Sequence, residues 1–230
     1  TGIIENGKWS VLNKKIIGNF KNFPLTEYIK KKINKPAFAF GDAEAAALGE
    51  LKFGAGKKFS DFFYITISTG VGGSMVINKK PFNKNTSLIC AFGHMVIKQK
   101  GKLCGCGRRG CIEAYASGNA IDKILKKSNK KNITIKNMLI NYKDTKWSMK
   151  IISEATTFIA EGIVNVNSLT GIRNFIIGGS IGLSHNFFRE IIKNTKKITK
   201  RKIIIIKAGL KNDSEVFGCL AKSNDELSYT

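Results

Sequence analysis

His94, Cys104, Cys106 and Cys111 form the pattern H-x9-C-x-C-x4-C, with Gly105, Gly107 and Gly110 between the cysteines. Zinc takes four nitrogen and sulfur donors at tetrahedral corners, and glycines let a short loop fold its thiolates onto one ion. Four protein donors leave no open coordination position. The pattern therefore predicts a structural rather than a hydrolytic zinc, in preference to free thiols. The five cysteines are an odd number, and three of them fall within eight positions, which favours a metal site over disulfides in a reducing compartment. Arg108 and Arg109 would partly offset thiolate charge or simply face solvent.

Two glycine-rich stretches offer backbone N–H groups to an anion. Ser68-Thr69-Gly70-Val71-Gly72-Gly73-Ser74 follows an apolar strand and reads as a hairpin tip whose amides and hydroxyls would embrace phosphate oxygens, or as an ordinary tight turn. Gly178-Gly179-Ser180 follows a second buried strand, as a nucleotide site at the carboxyl end of a sheet would. Two carboxylates complete the set. Asp42 reads as a helix N-cap or as a general base that takes the proton from an alcohol attacking a phosphoryl group. Glu113, two residues past the last cysteine, would accept from sugar hydroxyls or sit on the surface near a helix start.

The elements that must position these groups are legible in outline. Gly2 to Gly7 reads as a strand with a turn at Asn6-Gly7, Leu25 to Ile33 as a helix after Pro24, and Pro36 to Phe40 as a short apolar strand leading to Asp42. Phe62 to Ile67 and Met75 to Ile77 pair as a hairpin. Ile112 to Leu125 and Ile151 to Leu169 have helical spacing, Phe175 to Ile177 and Ile203 to Ile206 read as strands, and Val216 to Ala221 lies in a small-residue helix. Strands alternate with helices in the second half, so the fold class is α/β. The Lys-rich stretch Lys123 to Lys136 reads as solvated helix and loop.

Composition limits the function classes. The 230 residues are 43% hydrophobic, enough for one generous domain or two small ones. The 39 basic against 16 acidic residues leave a net charge of +23, a balance often seen in nucleic-acid-binding chains. Of the basic residues 34 are Lys and only 5 Arg, and they are dispersed. Arg is the residue that grips guanine edges and phosphate bidentately. Abundant Lys, Ile and Asn fit drift toward AT-rich codons, so no specific nucleic-acid surface is expected. No apolar run reaches the roughly 20 residues of a membrane span, and no signal-peptide pattern opens the chain, which predicts a cytoplasmic protein.

Gly41-Asp42-Ala43-Glu44-Ala45-Ala46-Ala47-Leu48-Gly49-Glu50, the Ser68 to Gly73 loop, and the run from Gly93-His94-Met95 to Gly105-Cys106-Gly107-Arg108-Arg109-Gly110-Cys111-Ile112-Glu113-Ala114-Tyr115-Ala116-Ser117-Gly118 closely resemble the ROK family of repressors, open reading frames and sugar kinases. Thr1 to Ile4, Phe23-Pro24-Leu25 and Ser68 are most similar to the branch that phosphorylates N-acetylmannosamine. The resemblance implies an actin-like (ribonuclease H-like) ATPase fold. Residues 1–41 would be the remainder of a small N-terminal lobe, and residues 42–230 a large lobe with a zinc loop at 94–111. It also implies transfer of the γ-phosphoryl of ATP to the sugar 6-hydroxyl in sialic acid breakdown, with Mg²⁺ arriving on ATP, and a homodimer. Asp42 falls on the catalytic base and Glu113 on a sugar ligand. His94 falls on a zinc ligand that also lies near the sugar, and Asn13 would lie near it as well. Thr69, Gly70, Val71, Gly72, Gly73 and Ser74 align with a phosphate-binding segment, and Gly178 and Gly179 with the nucleoside side.

The sequence departs from the family pattern in four places. The N-terminal Asp-x-Gly-Gly-Thr hairpin is absent, Gly41 stands where family kinases carry Asn, and Ala91 stands where they carry Glu or His. Lys84 to Cys90 replaces a glycine-rich loop. These departures predict an incomplete copy of an N-acetylmannosamine kinase, with impaired activity as the chain stands. The alternatives are a family glucokinase, a sugar-binding regulator without catalysis, and an inert zinc-stapled partner.

Overall fold

Asn6 and Gly7 both take positive φ, 48° and 72°, the pair that a type I′ turn requires. They join β1 (Gly2–Glu5) to β2 (Lys8–Val11) in an antiparallel hairpin, as the sequence predicts. The computed structural model describes residues 2–11, 18–82 and 90–227. Helix α1 (Leu25–Ile33) begins after Pro24, and Phe23 pairs with Trp9 to tie it to the hairpin. Helix α2 (Asp42–Lys52) follows. Pro36 to Phe40, expected to be a strand, is not one. A strand exists only against a partner, and among the described residues none lies beside this segment; its Phe38 and Phe40 rings contact each other instead.

Strand β3 (Phe62–Ile67) shows why the molecule is layered. Its side chains alternate between two faces, and both are buried. Phe63, Ile65 and Ile67 enter one apolar cluster, while Phe62 and Tyr64 enter another with Ala46 and Ala47 of α2. Strand β3 pairs antiparallel with β4 (Val71–Ile77), which pairs with β5 (Lys80–Pro81). On its other side β3 runs parallel to β6 (Asn174–Gly178), and β6 runs parallel to β7 (Ile204–Lys207). The order is β5-β4-β3-β6-β7.

The first face is covered by α3 (Glu113–Ala116), α4 (Gly118–Lys127), α5 (Ile135–Ile140), α6 (Lys146–Thr170) and α7 (His185–Ile198). The second is covered by α2 and by α8 (Ser214–Leu227). The single helix expected over Ile112 to Leu125 is two, because Ser117 leaves the helical region and its Oγ accepts from Ala120 N at 3.1 Å as a new N-cap. The long helix is longer than its apolar spacing predicts and stops at Gly171, which takes φ 75°. Helices α2 and α8 cross at very close range, since a Cβ at Gly218 would lie 1.7 Å from Ala45 O and one at Gly49 2.1 Å from Ser214 O.

Candidate functional site

The hairpin tip is shorter than its sequence implies. Only residues 68–70 form the turn, with Ser68 N donating to Gly70 O at 3.0 Å. Val71, Gly72, Gly73 and Ser74 belong to β4. A Cβ at Gly73 would meet Phe63 and Phe92 at 2.7 Å, and Ser74 is buried, so these two serve packing within the sheet. Thr69 and Gly70 remain at the tip. The tip is braced from behind, since Gly118 N donates to Ser68 O and Asn119 N to Thr69 O.

Gly178 ends β6, and Gly179 turns the chain with φ 79°. Ile181 N and Gly182 N then donate to Ile67 O at 3.0 and 3.1 Å, which fixes this loop against the carboxyl end of β3. Ser180 Oγ lies 3.4 Å from Ser68 Oγ, so the two glycine loops meet. Sequence reading singled out both loops but not the serine pair that joins them.

Asp42 is exposed at the first turn of α2. It is the first helical residue rather than the cap, which is Gly41, and its Oδ1 accepts from Ala43 N at 2.7 Å. No cationic side chain pairs with it among the described residues, so its second oxygen is available. The hairpin neighbours both carboxylate-bearing helices: a Cβ at Gly72 of β4 would lie 3.3 Å from the Cβ of Ala43, next to Asp42, and one at Gly70 of the tip 2.9 Å from Glu113 Oε2. Glu113 Oε2 accepts from Val71 N at 3.1 Å. Asn13 lies outside the described residues, as do residues 84–89 of the replaced loop.

The four metal-ligand candidates converge, with all donor atoms within 4.8 Å of one another. Donors about 2.3 Å (sulfur) and about 2.1 Å (nitrogen) from a tetrahedral ion are separated by about 3.8 Å for two sulfurs and about 3.6 Å for sulfur and nitrogen. Cys106 Sγ and Cys111 Sγ are 3.8 Å apart, and Cys104 Sγ is 3.6 Å from His94 Nδ1. A disulfide would bring two sulfurs to about 2.05 Å. Burial, with Cys106 and Cys111 close by, pushes the Cys104 thiol up to about 12, so a cation is what would draw the protons off this cluster.

Backbone bonds shape the loop. Cys104 N donates to Arg108 O and Gly107 N to Cys104 O, closing a turn around Cys106. Gly110 takes φ 84° where a Cβ would lie 1.7 Å from Lys98 O. Arg108 and Arg109 donate to His94 O and Gly101 O rather than standing free. Tyr115 stacks on Phe158 of α6 at 4.0 Å, and its hydroxyl accepts from Lys102 N at 2.7 Å. Cys104 Sγ lies 3.9 Å from Glu113 Oε1, so the metal loop touches the carboxylate that holds the hairpin tip.

Glu50 is a functional candidate that sequence reading passed over. It is fully buried, yet it pairs with no cation among the described residues, and its two oxygens accept from Ala55 N, Gly209 N, Leu210 N and Ser214 Oγ. A glutamate closing an otherwise Ala/Leu-rich helix is the signal that would have found it.

A model of the ROK family matches residues 1–225. The chain belongs to the ROK family. An N-acetylmannosamine kinase of Haemophilus influenzae is 34% identical over 84% of this chain and 64% of its own length. The chain therefore spans less than two thirds of that curated relative. The crystal structure of a ROK hexokinase from Thermus thermophilus superposes with a TM-score of 0.82 at 20% identity, covering 93% of this chain and 74% of that one. A ROK glucokinase from Streptomyces griseus, solved with glucose and AMPPNP, gives 0.79 at 25% identity, covering 90% and 74%. The fold is thus the actin-like ATPase fold of ROK sugar kinases. Among the described residues no helix is long and apolar enough to cross a membrane.

Proposed function

We propose that this chain carries the catalytic part of an ATP-dependent kinase for the 6-hydroxyl of N-acetylmannosamine, acting in the cytoplasm. The observation that supports it is that the β3–β4 hairpin adjoins four groups. These are an exposed Asp42, without a cationic partner among the described residues, on the helix against β4, the Gly178 loop joined to the hairpin tip, Glu113 bonded to the strand after that tip, and the Cys/His cluster touching Glu113. Phosphoryl transfer asks little covalent chemistry of a protein and much positioning. Asp42 takes the proton of the 6-hydroxyl as its oxygen forms the bond to the γ-phosphorus. The bond between that phosphorus and the bridging oxygen breaks, and ADP departs with the electron pair.

Thr69 and Gly70 at the tip line the phosphate side with their amides toward the oxygens, Val71 and Gly72 continue that edge into β4, and Gly73 and Ser74 support it from within the sheet. Gly178 and Gly179 line the nucleoside side. Glu113 and His94 face the sugar, with Asn13 a further candidate. Mg²⁺ bound to ATP would neutralise charge between the β- and γ-phosphates. Zinc, held by His94 Nδ1 and the thiolates of Cys104, Cys106 and Cys111, would cross-link the loop rigidly and leave the other ring nitrogen of His94 to a hydroxyl. Residues 1–41 would belong to the small lobe and 42–230 to the large one, and the chain would pair as a homodimer.

ADP release measured with ATP, Mg²⁺ and N-acetylmannosamine tests this reading, with glucose as the competing sugar. The expected result is turnover, or at the least sugar and nucleotide binding by calorimetry, that favours N-acetylmannosamine. Preference for glucose would move the assignment to a glucokinase. A chain that binds neither ligand would overturn it.

A further inference from the structure

We propose that Glu50 is a positioning residue that locks the turn after β7 to the helix bearing Asp42, so that nucleotide cradle and base keep a fixed separation. The proposal rests on the kinase reading. Three parallel strands end side by side, and the chain leaves each at the same edge: residues 68–70 after β3, 178–180 after β6, and 208–210 after β7. The first two loops are joined through the serine pair and Ile67 O, and the third is joined to β6 by Ala208 N donating to Ile177 O at 2.9 Å. Open α/β sheets bind ligands outside the carboxyl ends of such strands. The third loop is therefore a wall of the same crevice, and it presents Lys211, Asn212 and Asp213, all exposed, with Lys211 held at φ 56°.

A loop carrying a left-handed lysine needs an anchor, because that conformation persists only where neighbouring contacts over-determine it. Glu50 is that anchor. Its Oε2 accepts from Ala55 N at 2.7 Å and Gly209 N at 2.9 Å, and its Oε1 from Leu210 N and Ser214 Oγ, both at 2.9 Å. Four donors fill the four lone-pair positions of a carboxylate. A Cβ at Gly54 would lie 2.2 Å from Glu50 Oε2, so the cage has no spare room. Asp42 stands eight residues earlier on the same helix, about 12 Å away along its axis. The helix is thus bolted at one end to the third loop and presents the base at the other.

The test compares Glu50→Gln with Gly218→Ala, which disturbs the same helix pair without altering the carboxylate or any residue that donates to it. Calorimetric titration with a non-hydrolysable ATP analogue and with N-acetylmannosamine is read beside amide exchange at Gly209 and Leu210. Glu50→Gln puts an NH2 donor against the donors of one oxygen, Ala55 N and Gly209 N or Leu210 N and Ser214 Oγ, and leaves at least one N–H without its acceptor. It is expected to speed exchange at both amides and to weaken the nucleotide at least about tenfold, with sugar affinity within about twofold. Gly218→Ala is expected to lower the thermal midpoint without that split. Should Glu50→Gln fail to fold, Ser214→Ala removes one donor and is expected to move nucleotide affinity and exchange the same way by about two- to fivefold. Nucleotide affinity unchanged in the Glu50 or Ser214 variant, or an equal loss in Gly218→Ala, would overturn the proposal. Wild-type chain that binds no nucleotide would sink the kinase reading; exchange at Gly209 and Leu210 would then decide the anchoring alone, and unchanged rates would refute it.

Discussion

Two carboxylates separate the chemistry of the site from its stability. Asp42 is exposed and, among the described residues, its side chain accepts only from Ala43 N, so Asp42→Asn should leave the fold and nucleotide affinity intact. Turnover should fall by about 10²- to 10⁴-fold, the usual worth of a positioned base, and a loss under threefold in the ADP assay would remove Asp42 from that role. Glu215 behaves oppositely. Burial, then the negative charges of Asp42 and Asp213, hold its carboxyl above the ordinary 4.5. A raised folded value means that the folded chain holds its proton longer than the unfolded chain does, so this group's contribution to stability is lost as pH rises through the folded value. Glu215→Gln should therefore melt higher than wild type at about pH 7 and equally at about pH 4, and thermal scans at both values check the sign. The legibility of such residues follows their sequence spacing. The four donors from His94 to Cys111 are readable because one loop carries them all. Glu50 is not readable, because three of its four donors come from Gly209, Leu210 and Ser214, about 160 positions downstream.

Among the elements, the loop 94–111 is anchored at its start by Met95 and Ile97 on the core, and beyond them it is held by local bonds and by the convergence of its four donors. Apart from short backbone turns it contributes isolated bridges, Val96 to Cys111 and Leu103 to Arg109, and Leu103 is 61% exposed. On the zinc reading, such a loop would take part of its order from the ion, as small metal-stapled units do. One zinc per chain is expected by elemental analysis. Chelation, or Cys106→Ser, should lower the melting temperature and accelerate amide exchange across residues 94–111 and at Val71, whose N–H donates to Glu113. Full metal loss with unchanged exchange at Val71 would show that the loop does not brace the hairpin. The elements themselves were largely legible, because β3, β4, β6 and α6 are set by apolar period and by turn residues. Two readings failed for physical reasons. Pro36 to Phe40 has strand composition but no strand beside it, and Ile112 to Leu125 has helical spacing but contains a serine that caps better than it continues.

For the molecule as a whole the open question is what +23 does. The structure disperses it: Lys30 to Lys32 sit on α1, Lys123, Lys126 and Lys127 on α4, and Lys193, Lys196 and Lys197 on α7. Some of that charge is spent locally, in Lys31–Glu27, Lys126–Asp122 and Lys193–Glu190 pairs within single helices. The first two are largely exposed and contribute little stability, Glu190 is buried, and all three pairs lower the field available to a polyanion. The five arginines do not gather on one helix either: Arg108 and Arg109 are in the metal loop, Arg173 precedes β6, Arg189 lies on α7 and Arg201 precedes β7. A surface of scattered lysines attracts phosphates through counterion release and reads no base edges. The chain should therefore bind a random duplex at about 50 mM salt and lose roughly a thousandfold in affinity by about 200 mM, as for a protein making about six phosphate contacts. Two duplexes of unrelated sequence should give the same salt curve in a mobility-shift assay. Retention of one over the other at about 150 mM would show a sequence-reading surface and turn the charge from a compositional trait into a function.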